Sequence, residues 1–324
     1  MAKNIHTQQH YSITWYVAYM LYPPLYIAGP TVTFNSFVAS IRGQGVLLTG
    51  YEKAVVVARA LFCFLVFEVF IHYFYIGSIA KSGYYKTFLG DPLKCVQFSL
   101  MAVLYIYLKF LVIWRVFRAW AIVDGIYPPE NMPQCIICTT SIADFWKGWH
   151  SSFNKWLVRY MYLPLGGNMK HLQSQPILLI GRKLVNVALV FTFVAIWHDT
   201  NLQLLTWGWV LIVCMIPEMV AGSVIMLPRF KPFREGPYYR HAQAAGSVFA
   251  IYALILANVI GFSTGVEGGQ SIYSTLSDGI GGIGFGALFY YCMIHFNHLI
   301  RQKQRAAVKV AGTAAVIPWR LPQT

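Results

Sequence analysis

Two histidines in this chain stand where an imidazole can act on a substrate. His198 closes the uncharged run Val187-Ala-Leu-Val-Phe-Thr-Phe-Val-Ala-Ile-Trp-His198, directly before Asp199. An imidazole of ordinary pKa, about 6.5, takes a proton from a hydroxyl near neutral pH. Asp199 raises that basicity only if the two side chains meet, and neighbours in a helix point apart. His150 lies among Trp146, Trp149 and Trp156, with Asn154 four residues on and Trp146 four before. Helical spacing puts these on one face. A histidine and an amide on an aromatic surface suit a carbonyl or a lipid headgroup. The same pattern suits a helix anchored at a membrane interface by its tryptophans, and periodicity leaves both readings open.

The elements that position these residues belong in a bilayer. Of 324 residues, 57% are hydrophobic, 16% aromatic and only 11% charged. An ordinary soluble domain is about 25% charged, and disorder needs low hydrophobicity with high charge. The mean hydropathy is +0.53. Seven stretches are apolar over a length approaching the roughly 20 residues that cross a membrane: 11–28, 54–76, 93–116, 177–197, 202–227, 245–261 and 279–297. The first is interrupted by Pro23, Pro24, Gly29 and Pro30, so it reads as a broken span followed by irregular backbone, which survives at membrane depth only when buried or lining a cavity. Arg182 and Lys183 fall near the start of the fourth, and Pro217 kinks the fifth. The glycine-rich opening of the seventh lets a neighbouring helix approach. It is no dinucleotide fingerprint, because no βαβ unit surrounds it.

Residues 144–163 differ. Phe145, Trp149, Phe153, Trp156, Tyr160 and Leu163 recur at steps of three or four, beside a ladder of Lys147, Ser151, Lys155 and Arg159. This predicts an amphipathic helix at the membrane boundary, ended by Pro164, Gly166 and Gly167. The fold class expected is all-α, a polytopic transmembrane bundle with one interfacial helix.

The chain carries 25 Lys and Arg against 11 Asp and Glu, net +14. These bases cluster at the ends of apolar runs, as the positive-inside rule requires, so membrane lipid and phosphate-bearing substrates are the expected partners, not nucleic acid. The basic stretch from Arg301 is expected to form a cytosolic tail, 301–324. Glu68, His72, Lys109, Glu218, His295 and His298 sit within or at the ends of spans. Such residues are functional candidates or hydrogen-bonded bundle residues, and Lys109 can snorkel. The six cysteines form no secreted disulfide framework. The Cys135–Cys138 pair lacks the second pair that a zinc ribbon needs. No signal peptide or lipidation box is present at the termini.

The run Phe145-Trp-Lys-Gly-Trp-His150-Ser-Ser-Phe-Asn-Lys-Trp-Leu-Val-Arg-Tyr-Met-Tyr-Leu-Pro-Leu-Gly-Gly167 resembles the signature of the membrane-bound O-acyltransferases, as does Phe193-Val-Ala-Ile-Trp-His198-Asp199 downstream. Tyr22-Pro-Pro-Leu-Tyr-Ile-Ala-Gly-Pro30 with Thr33-Phe-Asn35 looks like the glycerol uptake branch, related to hedgehog acyltransferase. The resemblance implies an all-helical bundle around a tunnel and one membrane domain over 1–324. It implies His198 as the catalytic base and His150 as the second polar position. It implies acyl-CoA from the cytosol as donor. The acceptor by analogy is the hydroxyl of a lyso-GPI anchor, in the endoplasmic reticulum. Trp149, Asn154, Lys147, Lys155, Arg159 and Asp199 are then the expected substrate contacts. The three bases face the phosphates of CoA or of the acceptor, or else anionic lipid.

In the hedgehog acyltransferase relative, a cysteine fifteen positions before the His150 position ligates haem. Here that residue is Cys135, which serves either as a haem thiolate or as an unligated buried cysteine. Hedgehog acyltransferase has an acid where this chain has His150, which disfavours protein N-acylation. Family members carry several helices before the Ala-Gly-Pro segment, so this chain is expected to lack them. A glycerol transporter or accessory protein, or a catalytically silent shortened paralogue, are the alternative functions.

Overall fold

The structure is a computed structural model that describes residues 11–167, 175–278 and 280–311. Among the described residues every regular element is helical. That follows from the solvent, because a segment in lipid must satisfy its own backbone N–H and C=O groups.

The chain enters through α1 (Ile13–Met20) and the one-turn α2 (Pro23–Tyr26), which two prolines open where their missing N–H costs least. After α3 (Phe34–Ile41), α4 (Gly50–Phe74) begins at a capping box. Thr49 Oγ1 accepts from the Glu52 N–H, and the Glu52 carboxylate accepts from the Thr49 N–H at 2.8 Å. Tyr75, at φ 47°, turns the chain into α5 (Ile76–Ser82). Asp91 caps α6 (Pro92–Val123). Its 32 residues span about 48 Å at 1.5 Å per residue, longer than the hydrocarbon core.

The motif region forms α7 (Ile142–Gly148) and α8 (Ser151–Leu157), the latter widening into the turn Val158–Gly167. Then come α9 (Pro176–His198), α10 (Leu202–Val224), the short α11 (Lys231–Glu235), α12 (Tyr239–Val259), α13 (Gly265–Asp278) and α14 (Ile280–Ala311). Among the described residues five stretches are long and apolar enough to cross a membrane: Gly50–Phe74, Pro92–Val123, Leu178–His198, Leu202–Val224 and Tyr239–Asp278. The protein is a multi-pass helical bundle.

Residues 11–28 are broken into two short helices, α1 of eight residues and α2 of four, with the Leu21–Tyr22 turn between them. The amphipathic helix over 144–163 is two helices, broken at Trp149 and His150. It does end as expected, with Gly166 at φ 86°. The basic stretch from Arg301 continues α14 as far as Ala311. The Arg301 guanidinium meets Asp144 at 2.8 Å and the Cys138 carbonyl at 2.9 Å. Residues 312–324 lie outside the described residues.

α6 runs through the middle, packed against α4, α5, α12, α13 and α14, while α9 and α10 form a hairpin beside α12. One core joins α6, α12, α13 and α14 around Phe98, Ile255 and Ile294. A second joins α7, α8, α9, α10 and α12 around Phe145, Trp207 and Leu211. The loop between α6 and α7 buries Ile126, Asn131 and Met132, and its Ile136 packs against three separate core clusters. These anchors tie the loop to the core from which α7 and α8 start.

Candidate active site

Ser141 caps α7, its hydroxyl accepting from the Asp144 N–H at 3.0 Å, and α10 adds a second acceptor. The Glu218 carboxylate accepts from the Ile142 N–H at 2.8 Å and the Ala143 N–H at 3.3 Å, so a charge inside a span ends on the positive pole of a helix. Gly148 closes α7 against Gln134, whose Cγ would lie 2.8 Å from an added Cβ. The chain then breaks. Trp149 is extended, at φ −89° and ψ 125°, and His150 takes the left-handed conformation, at φ 44° and ψ 51°. A side chain is rarely held there unless its surroundings impose it.

The surroundings here are a buried polar network. Ser151 N–H donates to the Asn131 carbonyl at 3.0 Å, and Ser151 Oγ donates to the Glu130 carbonyl at 2.6 Å. Asn131 Oδ1 accepts from both the N–H and the hydroxyl of Ser152, at 3.2 and 2.5 Å. The Glu130 carboxylate lies 3.6 Å from Arg115 Nε and 3.8 Å from Arg118 Nη1, both on α6. Arg118 Nε also donates to the Pro128 carbonyl at 3.0 Å.

The break turns the His150 ring against Trp114, 4.4 Å away, and Phe153, 5.1 Å away. Burial pushes its imidazole down to about 4, so the ring is neutral at pH 7. His198, at the C-terminal end of α9, has its ring edge-on to Trp207 and Phe262, at 5.7 and 5.6 Å. Both histidines line one cavity of about 450 Å³. Asn154, Trp149 and Trp146 line it too. So do Asn258 at the end of α12, Phe262 in the turn that follows it, and the segment Tyr26 to Gly29 with Thr31. No Lys, Arg, Asp or Glu is among its described lining residues. An uncharged aromatic chamber with two imidazoles and two amides suits an apolar chain that ends in a reactive carbonyl.

The remaining predicted contacts lie elsewhere. Lys147, Lys155 and Arg159 are exposed and outside the cavity wall. The break at His150 takes Lys147 out of register with the other two, and Arg159 rests over the Tyr160 ring. Asp199 turns away from His198. Its carboxylate accepts from the Thr200 N–H at 2.7 Å and the Asn201 side chain at 2.8 Å, shaping the turn that starts α10. Glu68 and His72 pair at 3.7 Å in an outer groove that Lys109 also lines.

Cys135 caps the one-turn helix Ile136–Cys138 at the surface. The hollow bounded by Tyr107, Met132, Gln134 and Ile136 in this region holds about 10 Å³. That is far below the size of a haem. These residues do not fit one, and no step is assigned to it. No cluster of three metal-ligating side chains occurs among the described residues.

Sequence reasoning missed Asn131, Ser152, Asn258 and Trp207. Each is buried, and none has a spacing that marks it. The signal that existed for the Ala28–Thr31 wall was the expectation of irregular backbone around Gly29 and Pro30. An added Cβ on Gly29 would lie 2.0 Å from the Pro24 carbonyl oxygen, so that wall needs glycine.

Residues 1–263 match the family described as MBOAT, membrane-bound O-acyltransferase family. The chain is 37% identical over 303 residues to the membrane-bound O-acyltransferase GUP1 of Millerozyma farinosa, covering 91% of this chain and 56% of that protein. It is 36% identical to GUP1 of Saccharomyces cerevisiae over 86% of this chain and 47% of the relative. It is 25% identical to the protein-cysteine N-palmitoyltransferase Rasp of Drosophila melanogaster, over 90% of this chain and 57% of Rasp. The chain thus spans about half the length of the curated relatives it matches.

Proposed function

Because the chain belongs to the membrane-bound O-acyltransferase family, we propose that its two-histidine cavity moves a fatty acyl chain from acyl-CoA to a lipid hydroxyl. The acceptor we propose is a lyso-GPI anchor in the endoplasmic reticulum. The observation that supports this reading is the meeting of His150 and His198, from two separate sequence motifs, in one uncharged cavity.

The chemistry follows from the residues. His198 takes the proton of the acceptor hydroxyl, and the oxygen attacks the thioester carbonyl carbon. The C–O bond forms, the carbonyl oxygen takes negative charge, and collapse breaks the C–S bond to release CoA as thiolate, which takes up the proton. General-base assistance of this kind is worth about 10²–10⁴-fold. Neutral His150 and Asn154 hold the carbonyl and donate to its developing charge, in a site where apolar walls strengthen each hydrogen bond. Trp149 and its neighbours bound the acyl chain. Lys147, Lys155 and Arg159, outside the cavity, take phosphates or anionic lipid at the interface.

The test is acyl transfer in membranes of cells lacking their own remodelling enzyme, with labelled acyl-CoA, for this chain and its His198→Ala form. The expected result is label in GPI lipids that disappears in the variant. Label in another lipid would retain the reaction and replace the acceptor. Solute flux that survives His198→Ala, with no transfer, would favour a transporter.

A further inference from the structure

We propose that Asn131 and Ser152 are positioning residues for His150, holding its ring in the cavity and tying it to the Ala28–Thr31 wall. This inference rests on the acyltransferase reading for its kinetic arm alone.

The argument starts from strain. A left-handed conformation is disfavoured at a residue with a Cβ, so His150 keeps it only if neighbouring bonds exceed that cost. Those bonds converge on one residue, Asn131. Asn131 Oδ1 accepts both the N–H and the hydroxyl of Ser152, and Asn131 O accepts the Ser151 N–H. These bonds fix the first two residues after His150 and hence its ψ. Both partners are sealed from solvent, with Asn131 0% and Ser152 1% exposed. The Ser152 hydroxyl also accepts from the Thr31 N–H at 2.8 Å. One hydroxyl thus joins the turn that carries His150 to the Ala28–Thr31 segment, which also lines the cavity. Glu130, beside Asn131, is anchored by Arg115 and Arg118 on α6. The position of the imidazole is therefore referred to the central helix, two links away.

The Asn131 amide nitrogen is buried with no hydrogen-bond partner among the described residues. Only its oxygen is used, and that makes a sharp substitution available. Asn131→Asp keeps an acceptor oxygen in either protonation state. Asn131→Leu keeps the volume and loses the acceptor.

The experiment compares the purified chain with Asn131→Asp, Asn131→Leu and Ser152→Ala in two assays. The first is carbethoxylation of His150 by diethyl pyrocarbonate, read by mass spectrometry. The second is acyl transfer. Asn131→Leu and Ser152→Ala are expected to label His150 about tenfold faster, as loss of one or two net hydrogen bonds would allow. Asn131→Asp is expected to label at the wild-type rate. In transfer, kcat falls on the order of 10²-fold in the same two variants, as for a reacting group displaced by about 1 Å. KM for the donor stays within twofold. If Asn131→Leu does not fold, Ser152→Ala, which removes one oxygen, carries the comparison. Wild-type labelling in both acceptor-loss variants would overturn the proposal. Asn131→Asp behaving like Asn131→Leu would do the same, because volume and not the acceptor would then matter. If the wild type shows no transfer but the labelling contrast holds, the positioning stands and the acyltransferase reading falls.

Discussion

The left-handed backbone at His150 is testable apart from the imidazole it carries. His150→Ala and His150→Gly both remove the ring, with its contacts to Trp114 and Phe153. They differ by one methyl group at φ 44° and ψ 51°. In that region the Cβ costs about 1–2 kcal/mol. Glycine loses about 0.5–1 kcal/mol more on folding because its unfolded chain is freer. The balance leaves His150→Gly more stable than His150→Ala by about 0.5–1 kcal/mol. At a right-handed or extended backbone only the second effect acts, and the alanine variant would lead by about the same amount. The two cases therefore differ in sign. The assay is denaturant unfolding of both variants in one detergent, followed by tryptophan fluorescence, with transfer activity measured in parallel. Both variants are expected to be inactive, with the glycine form the more stable. An alanine variant more stable than the glycine variant would refute a left-handed His150, and with it the strain on which the network argument depends.

Four further outcomes are expected. Burial holds His150 at about 4, against an ordinary 6.5, so the unfolded chain takes up this proton first. Native stability is then level above pH 6.5 and falls by on the order of 3 kcal/mol as pH drops toward 4. His150→Gln flattens that slope in unfolding titrations. Glu218→Ala removes both carboxylate bonds to the first turn of α7, costing about 1–2 kcal/mol and lowering transfer, read by unfolding and kcat together. Gly29→Ala drives a methyl into the Pro24 carbonyl, displacing the cavity wall at about 1–3 kcal/mol and lowering transfer more than it lowers expression. Lys155→Ala alters neither kcat nor the unfolding midpoint by more than about twofold or 0.5 kcal/mol, because its side chain lies outside the cavity.

The membrane helices were legible because lipid makes simple demands. A run of apolar residues long enough to cross must be helical, and 54–76, 177–197 and 202–227 each correspond to a helix whose ends differ by a few residues. The errors arise where charge or proline carried tertiary information. The apolar stretch 93–116 stops short of its helix, because α6 continues past Arg115 and Arg118 to Val123. Both guanidinium groups turn inward to Glu130, so they need no water. The first stretch is apolar enough for a span, but Pro23 and Pro24 start a new helix in its middle, and the segment serves as a cavity wall.

The site itself shows why periodicity misled at one place and succeeded nearby. Phe145, Trp149, Phe153 and Trp156 keep helical spacing across the break, because all of them pack toward the same aromatic core whether or not the helix is continuous. Spacing reports which residues share an environment, and it is blind to a single residue that changes hand. What changes the hand of His150 is a loop about twenty residues earlier, whose Glu130 and Asn131 look like ordinary polar loop residues in sequence. The same displacement explains the basic ladder. Lys155 and Arg159 hold their face of α8 and the following turn, while Lys147 belongs to a different helix. A ladder of charges drawn across a broken helix is a ladder on paper only. The cavity receives its polar groups instead from chain segments remote in sequence: Thr31, His150, His198 and Asn258. A site assembled in this way keeps charge from its described walls while hydrogen-bonding side chains from four remote segments line one cavity. An uncharged cavity strengthens each hydrogen bond made within it, which is what the proposed acyl transfer uses.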